Sequence, residues 1–452
     1  MAKRILCIFA ALLMTVTMLA GCAQEKDTDA DQKPDSSVQA SATPQAATPQ
    51  ASAAPENVAI TYATWMSKGE DNPVLEGFMK ENPNITVKAE VFDGNKYDEL
   101  MKTRILSGDA PDVYLQLDRY FDAYVAEGWL MDVTDMEGSK WIKGSKALTE
   151  RYSKDGKLYG TMLDVSFQMY PVYYNKKYFD KLGIKAPTTL DEFYGICETI
   201  KKDGADPVVF GGADAWTINM FSSNIYQPDA FARYGLFENS IADGKIKYSD
   251  VCKPIFEMLE KMVKQGYVGK ASATLKYDQS VQYFVDGKAA MILQGVWFPS
   301  LDAVKNAANL ELAAFALPVT KASDGRTHIL AAGNRVLVMN SSTKKKEASE
   351  KFYNYFMKKE VIEKYLTDQS GITNLPGIEV DMNPVLKAFF GPLSDETKYA
   401  IEFKMGDYIM PTIVDTTRRE ALQNMLAGSA ARDELTRIDT AYESNKDQVK
   451  KK

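Results

Sequence analysis

From Val58 onward the chain alternates between short apolar runs of strand character and longer runs of helix character, and this alternation restricts the fold more than any other feature. Val58-Ala59-Ile60-Thr61-Tyr62-Ala63 reads as a strand, Asn72 to Asn82 as a helix stopped at Asn82-Pro83, and Ile85–Phe92 as a second strand. Lys96–Ser107 reads as a helix carrying Leu100, Ile105 and Leu106. Gly108-Asp109-Ala110-Pro111 reads as a turn, and Asp112–Leu117 as a third strand. Such a succession predicts an α/β architecture of parallel sheets flanked by helices. Pro207–Phe210, Phe315–Val319 and Arg335–Met339 read as later strands, and from Ser349 the pattern is mostly helical. A chain of 452 residues exceeds one ordinary core, so two domains are expected.

The N-terminus has a different logic. Lys3 and Arg4 precede an apolar run from Ile5 to Ala20, which ends in Leu19-Ala20-Gly21-Cys22. That is the layout of a secretory signal peptide. The run is shorter than the roughly 20 residues that span a bilayer. Leu-Ala-Gly-Cys resembles the lipobox of bacterial lipoproteins, which implies cleavage before Cys22 and a lipid on it. Residues 1–21 are then a leader. Residues 22–57 contain no aromatic residue, and Val38 is their only branched aliphatic. They predict a disordered linker, because so little apolar surface cannot offset the entropy of ordering. As a flexible coil the linker reaches roughly 30–35 Å. The expected location is the extracytoplasmic face of the cell membrane.

Composition excludes several classes. The formal net charge is −7, and loss of the two leader cations makes it more negative still. An acidic chain argues against nucleic acid as a partner. Of the four cysteines, Cys197 and Cys252 remain after the leader and the lipid site. Export permits a disulfide between them, but each sits on a helical stretch outside any CxxC, and two buried thiols are expected. His328 is the single histidine, which leaves no zinc site or histidine triad to build. No nucleophile elbow, HExxH or P-loop occurs, so no enzyme and no cofactor is expected. With 61 acidic residues, a chance carboxylate pair at glycosidase spacing carries no weight.

Four segments, in order, resemble the family 1 extracellular solute-binding proteins, the group of the maltodextrin-binding proteins. They are Ser107–Val113, then Tyr174–Ile184 continuing to Pro187–Phe193, then Phe284–Met291 leading into Gly295-Val296-Trp297, and lastly Phe315–Pro318. Each also has a structural reading. Gly183 suits a helix C-cap, and Thr189 with Glu192 forms a capping box. The resemblance implies two α/β lobes joined by crossover hinge strands, with ligand between them. It places lobe 1 at about 58–164 and 320–358, and lobe 2 at about 167–316 and 359–452. Hinge crossings are then expected near Asp164–Phe167 and Leu317–Thr320. It further implies a monomeric lipoprotein that delivers a solute to the permease of an ABC transporter.

A saccharide ligand wants charged or amide groups for its hydroxyls and aromatic rings for its C–H faces. Ligands of such sheets lie beyond the carboxyl ends of strands. Trp65 follows the first strand beside Ser67, Glu70 and Asp71, and is either core or platform. Gln116, Asp118 and Arg119 follow the third strand; the Asp-Arg pair resembles the one that holds hydroxyls in maltodextrin-binding relatives, or is a local salt bridge. Asp164 at the first crossing and Gln168 are alternative ligand residues there. Trp216 sits in a glycine-rich loop, and Trp297 matches a recurrent aromatic of the family. Tyr97 and Asn334 are weaker candidates, while Trp129 and Trp141 read as structural. The tryptophans favour sugar over a peptide, polyamine or ferric complex.

Overall fold

The computed structural model describes residues 57–451 apart from 67–72, 95, 145–150, 168, 320, 369–372, 374, 376 and 403–405, with the side chains of 143, 144, 165–167, 332 and 334 also left out. The expected leader, Cys22 and the linker therefore lie outside the described residues, as do Ser67, Glu70, Asp71, Gln168 and the side chain of Asn334.

The first sheet begins with β1 (Val58–Thr64), which pairs in parallel with β2 (Ile85–Val91) and with β3 (Val113–Leu117). Helices α1 (Pro73–Glu81) and α2 (Tyr97–Ser107) make the crossovers. Gly108 ends α2 in the left-handed region at φ 76°, where a residue with a Cβ is strained. Helix α3 (Asp118–Ala126) follows β3 without a loop. Strand β4 (Thr161–Phe167) then leaves this sheet, and β5 (Val172–Asn175) enters a second one.

The second sheet has the order β8-β5-β7-β6, with β6 (Asp206–Val209), β7 (Ala289–Leu293) and β8 (Leu312–Phe315). Helix α4 (Leu190–Asp203) opens on the expected Thr189/Glu192 capping box. Helices α5 (Ala215–Tyr234), α6 (Tyr248–Lys264) and α7 (Tyr277–Val285) complete this lobe before β7. The chain returns through β9 (Thr327–Met339) and continues into α8 (Lys346–Phe356), α9 (Lys359–Asp368), β10 (Tyr399–Glu402), α10 (Thr412–Leu426) and α11 (Ala431–Glu443).

Both sheets are mixed rather than parallel. β9 runs antiparallel to β3 and β4, while β5 runs antiparallel to β7 and β8. The reversal follows from the crossovers, since a strand that returns from the other lobe enters the sheet from the opposite end. The strand expected at Phe315–Val319 lies earlier, at Leu312–Phe315, and Leu317 is buried as part of the second core.

Two cores organise the lobes. The first joins Ile60, Tyr62, Val113, Leu115, Val336 and Val338 of the sheet to Phe78, Phe352 and Phe356. The second joins Phe193, Ile200, Phe221, Phe256, Leu259, Leu422 and Ile438 around one face of the second sheet. Tyr173, Ile292, Phe298 and Leu386 pack its other face.

Core membership moves the second crossing. Ile329 and Leu330 pack in the second lobe, whereas Ala331 and Val336 to Met339 pack in the first. The chain therefore changes lobe inside β9, not near Leu317–Thr320. Residues beyond 358 also return to the first core through Ile362, Tyr365, Leu366, Leu375 and Ile378, where lobe 2 was expected. The apolar stripe of α9 covers the first sheet. Cys197 and Cys252 are buried free thiols, and burial lifts Cys252 to about 12. His328 is satisfied between Glu402 (2.8 Å) and Asp324 (3.1 Å). Among the described residues no helix is long and apolar enough to cross a membrane.

Candidate functional site

The second lobe gathers three aromatic side chains beyond the carboxyl ends of β6 and β7. Trp216 stands in the first turn of α5, Tyr277 opens α7 and Trp297 follows β7. The Trp216 and Tyr277 ring centroids are 4.9 Å apart, and those of Trp216 and Trp297 are 6.0 Å apart. Trp297 Nε1 donates to Tyr277 Oη at 2.9 Å. Asp214, which precedes α5, accepts from the backbone N–H of Tyr277 at 2.7 Å, so one carboxylate ties the two helix starts together. All three rings are half-buried. Burial lifts the Tyr277 phenol to about 12, so it stays a neutral donor and acceptor. The cluster offers π faces beside a hydroxyl, which suits a ligand that is apolar on its faces and polar at its edges.

Gly295 is what lets Trp297 lie back onto the chain. A Cβ at Gly295 would sit 2.2 Å from atoms of the Trp297 ring. Gly295→Ala should therefore swing the indole away, break its bond to Tyr277 and shift its fluorescence emission. An unchanged emission spectrum would show that the ring does not depend on this contact.

On the first lobe, Trp65 directly follows β1 and meets the Tyr97 ring edge-on, with centroids 4.9 Å apart at 67°. Trp65 is half-buried, with one side held by the core. Tyr97 is itself core: its hydroxyl donates to Leu115 O at 2.7 Å, which removes it as a ligand candidate. Gln116 is buried in β3. Its Oε1 has no partner among the described residues, and its Nε2 reaches only Leu117 O at 3.5 Å.

The local salt bridge that was the alternative reading of Asp118 and Arg119 does not form. Neighbours at a helix start point about 100° apart, so they cannot face each other. The partner of Asp118 is Arg151, at 3.1 Å, and Tyr152 Oη donates to Asp118 Oδ1 at 2.7 Å. Arg151 also binds Asp122 at 2.7 Å. A Cβ on Gly333 of β9 would lie 2.2 Å from Tyr152 Oη, so this network is fitted against the crossing strand. Arg119 is exposed, with its guanidinium 4.8 Å from the Tyr120 ring centroid.

Asp164 is also engaged within the chain. Its Oδ2 accepts from Arg335 Nη2 at 2.7 Å and its Oδ1 from the Arg335 backbone N–H at 3.0 Å. Burial works against the Arg335 charge, and Asp164 together with Tyr365 more than restores it. The pair sits at an irregularity in the β4–β9 ladder, where the lobes are joined. Arg335 Nη1 extends toward Met66 Sδ at 4.0 Å, and its Nε is unpartnered among the described residues.

Helix α10 carries a second charged cluster. Asp415 of α10 binds Arg418 at 2.7 Å and Arg419 at 2.5 Å, and Arg418 donates to Ser222 of α5 at 3.1 Å. Burial opposes ionisation of Asp415, yet Arg419, Arg418 and Arg119 hold its carboxyl well below the ordinary carboxylate range. Trp129 and Trp141 are structural: the first packs edge-on to Tyr124, and the second donates to Met357 O at 3.0 Å.

The structure thus brings Trp216 and Trp297 together. It places Trp65 on the other lobe and turns Asp118 and Asp164 inward to arginines. Sequence reasoning missed Tyr277, Arg151, Tyr152 and Arg335. For Arg335 a signal existed, because a lone charge heading the apolar run Val336–Met339 asks for a buried partner.

A family model described as bacterial extracellular solute-binding protein matches residues 44–363. The chain belongs to that family. Among curated relatives, a multiple sugar-binding protein of Streptococcus mutans is 29% identical over 342 residues, covering 73% of this chain and 76% of that one. The diacetylchitobiose binding protein DasA of Streptomyces coelicolor is 26% identical over 299 residues, 65% of each chain. Solved structures share the two-lobed fold. A chitin oligosaccharide binding protein superposes with a TM-score of 0.73 at 21% identity, covering 86% of this chain and 99% of that one. The binding protein RafE in complex with raffinose gives 0.71 at 21% identity over the same shares.

Proposed function

We propose that this protein is a membrane-tethered, extracytoplasmic solute-binding lipoprotein that captures a sugar or oligosaccharide between its lobes and hands it to the permease of an ABC transporter. It acts as a monomer and a binder, not an enzyme. The observation that carries the reading is the half-buried Trp216/Tyr277/Trp297 cluster beyond the strand ends of the second lobe. Relatives named for sugar binding support it.

In this reading the second-lobe rings stack on the sugar, while Trp65 and Gln116 close on it from the first lobe. Asp118 and Asp164 hold the crossing strands in place rather than touching ligand, and Arg119 lies at the rim. Gln168 remains a candidate contact at the first crossing.

The test is titration calorimetry of the full chain against raffinose, stachyose and chitin oligosaccharides, with melting curves alongside. A ligand that binds the folded state raises its apparent stability with concentration. Tight binding of a polyamine, peptide or ferric complex with no sugar response would replace the sugar reading.

Anchoring has its own test. Cys22→Ala should leave the leader uncleaved or release the protein into the medium, and normal cleavage with full membrane retention would overturn the lipid assignment.

A further inference from the structure

We propose that Gln294 is a specificity-determining ligand contact that selects neutral, hydroxyl-rich solutes over charged ones; the proposal rests on the sugar-binding reading above. Gln294 is the first residue after β7, at the carboxyl end of the strand, and its backbone N–H donates to Pro171 O at 3.2 Å. That bond fixes it beside the chain entering from the first crossing. On its other side, Gly295 O accepts from Tyr173 Oη at 3.1 Å, and Trp297 follows two residues later.

The side chain is 1% exposed, yet neither Oε1 nor Nε2 has a hydrogen-bond partner among the described residues. A buried carboxamide with every hydrogen bond unmet is costly, and such groups are rare enough to demand a reason. Well-bonded amides occur in the same lobe. Asn224, equally buried, accepts from the Tyr170 backbone N–H and donates to Tyr170 O. Gln423 gives its Nε2 to Gly212 O at 2.7 Å. The nearest parallel to Gln294 is Gln116, also 1% exposed, at the carboxyl end of β3, with its Oε1 unmet. Among the described residues each lobe therefore carries one under-bonded carboxamide at a strand end.

The chemistry of the amide narrows the occupant. It presents an acceptor and a two-proton donor side by side in one plane. A carboxylate accepts only and an ammonium donates only, so either leaves half of the amide unmet. Two neighbouring hydroxyls supply an acceptor and a donor at once. Gln294 thus answers a polyol and penalises ionic solutes.

The experiment compares wild-type protein with Gln294→Met and Gln294→Glu, by ligand-free melting and by calorimetry with raffinose. Met keeps the length and removes the unmet polar atoms. Gln294→Met should melt at or above the wild-type temperature while binding raffinose at least 30-fold more weakly. Gln294→Glu should melt lower, because it buries a charge. A Met variant that melts several degrees lower, or that binds raffinose within threefold of a binding wild type, overturns the role of Gln294 and leaves the functional reading standing. A wild type that binds neither raffinose nor the other saccharides overturns the functional reading, and this role with it.

Discussion

Trp297→Ala is expected to weaken raffinose binding by about 30- to 1000-fold, the range for losing a few kcal/mol at a buried stacking aromatic. The ring is half-buried and its Nε1 is bonded to Tyr277, so truncation removes a stacking face and releases the hydroxyl beside it. Trp216→Ala should fall in the same range. Because the two indoles lie 6.0 Å apart, the double variant should lose less than the sum of the singles. Neither ring sits in the centre of a core, so ligand-free melting should change by only a few degrees. If both variants bind within twofold of wild type, the cluster is packing and the ligand site lies elsewhere.

An ion pair reaches from the C-terminal segment to the first lobe. Lys450 reaches Glu127 at 3.2 Å, but both side chains are about half exposed. Exposed ion pairs contribute only about 0–1 kcal/mol each. On the proposed function such a pair would guide closure without fixing it, and a solute touching both lobes would shift the population toward the closed form.

How much of this was legible in the sequence depended on the range of the interaction. Local signals were read correctly where one segment determines its own structure. The Thr189/Glu192 cap, the left-handed Gly183 and Gly108, and strands β1 to β3 all follow from neighbours within a few residues. Trp216 and Trp297 were marked by a glycine loop and a family motif. Their common partner Tyr277 carries no such mark, because it reaches them only once α7 is packed. The same limit governed the charges. Asp118 stood next to Arg119 in sequence, but helix geometry sent it to Arg151. Asp164 read as a candidate ligand residue, and its partner Arg335 lies 171 residues away. The second crossing was misplaced for a related reason: β9 is one unbroken strand that changes cores at Leu330–Ala331, and no turn residue marks the change.

The Asp164–Arg335 pair should show the largest stability effect of any single side chain at the hinge. Both residues are 3% exposed. Asp164→Ala leaves a guanidinium buried without its countercharge, and removing one member of a buried pair typically costs about 3–5 kcal/mol. At roughly 2–4 °C per kcal/mol for bodies the size of these lobes, the melting temperature should fall by about 6–20 °C. Asp164→Asn should cost less, since an amide oxygen still accepts from the Arg335 backbone N–H. Replacing both partners, as Asp164→Leu with Arg335→Met, should recover much of the loss, because the desolvation of two charges disappears along with their attraction. That recovery separates a hinge brace from a ligand residue. If Asp164 reads ligand directly, Asp164→Asn should instead melt like wild type and lose sugar affinity, and the brace assignment would then be abandoned. With the brace in place, the folded fraction of Asp164→Asn should bind raffinose nearly as well as wild type. Its defect should appear in how easily β4 and β9 separate, measured as faster hydrogen exchange at the backbone amides of Met162 to Val165 and Arg335 to Leu337.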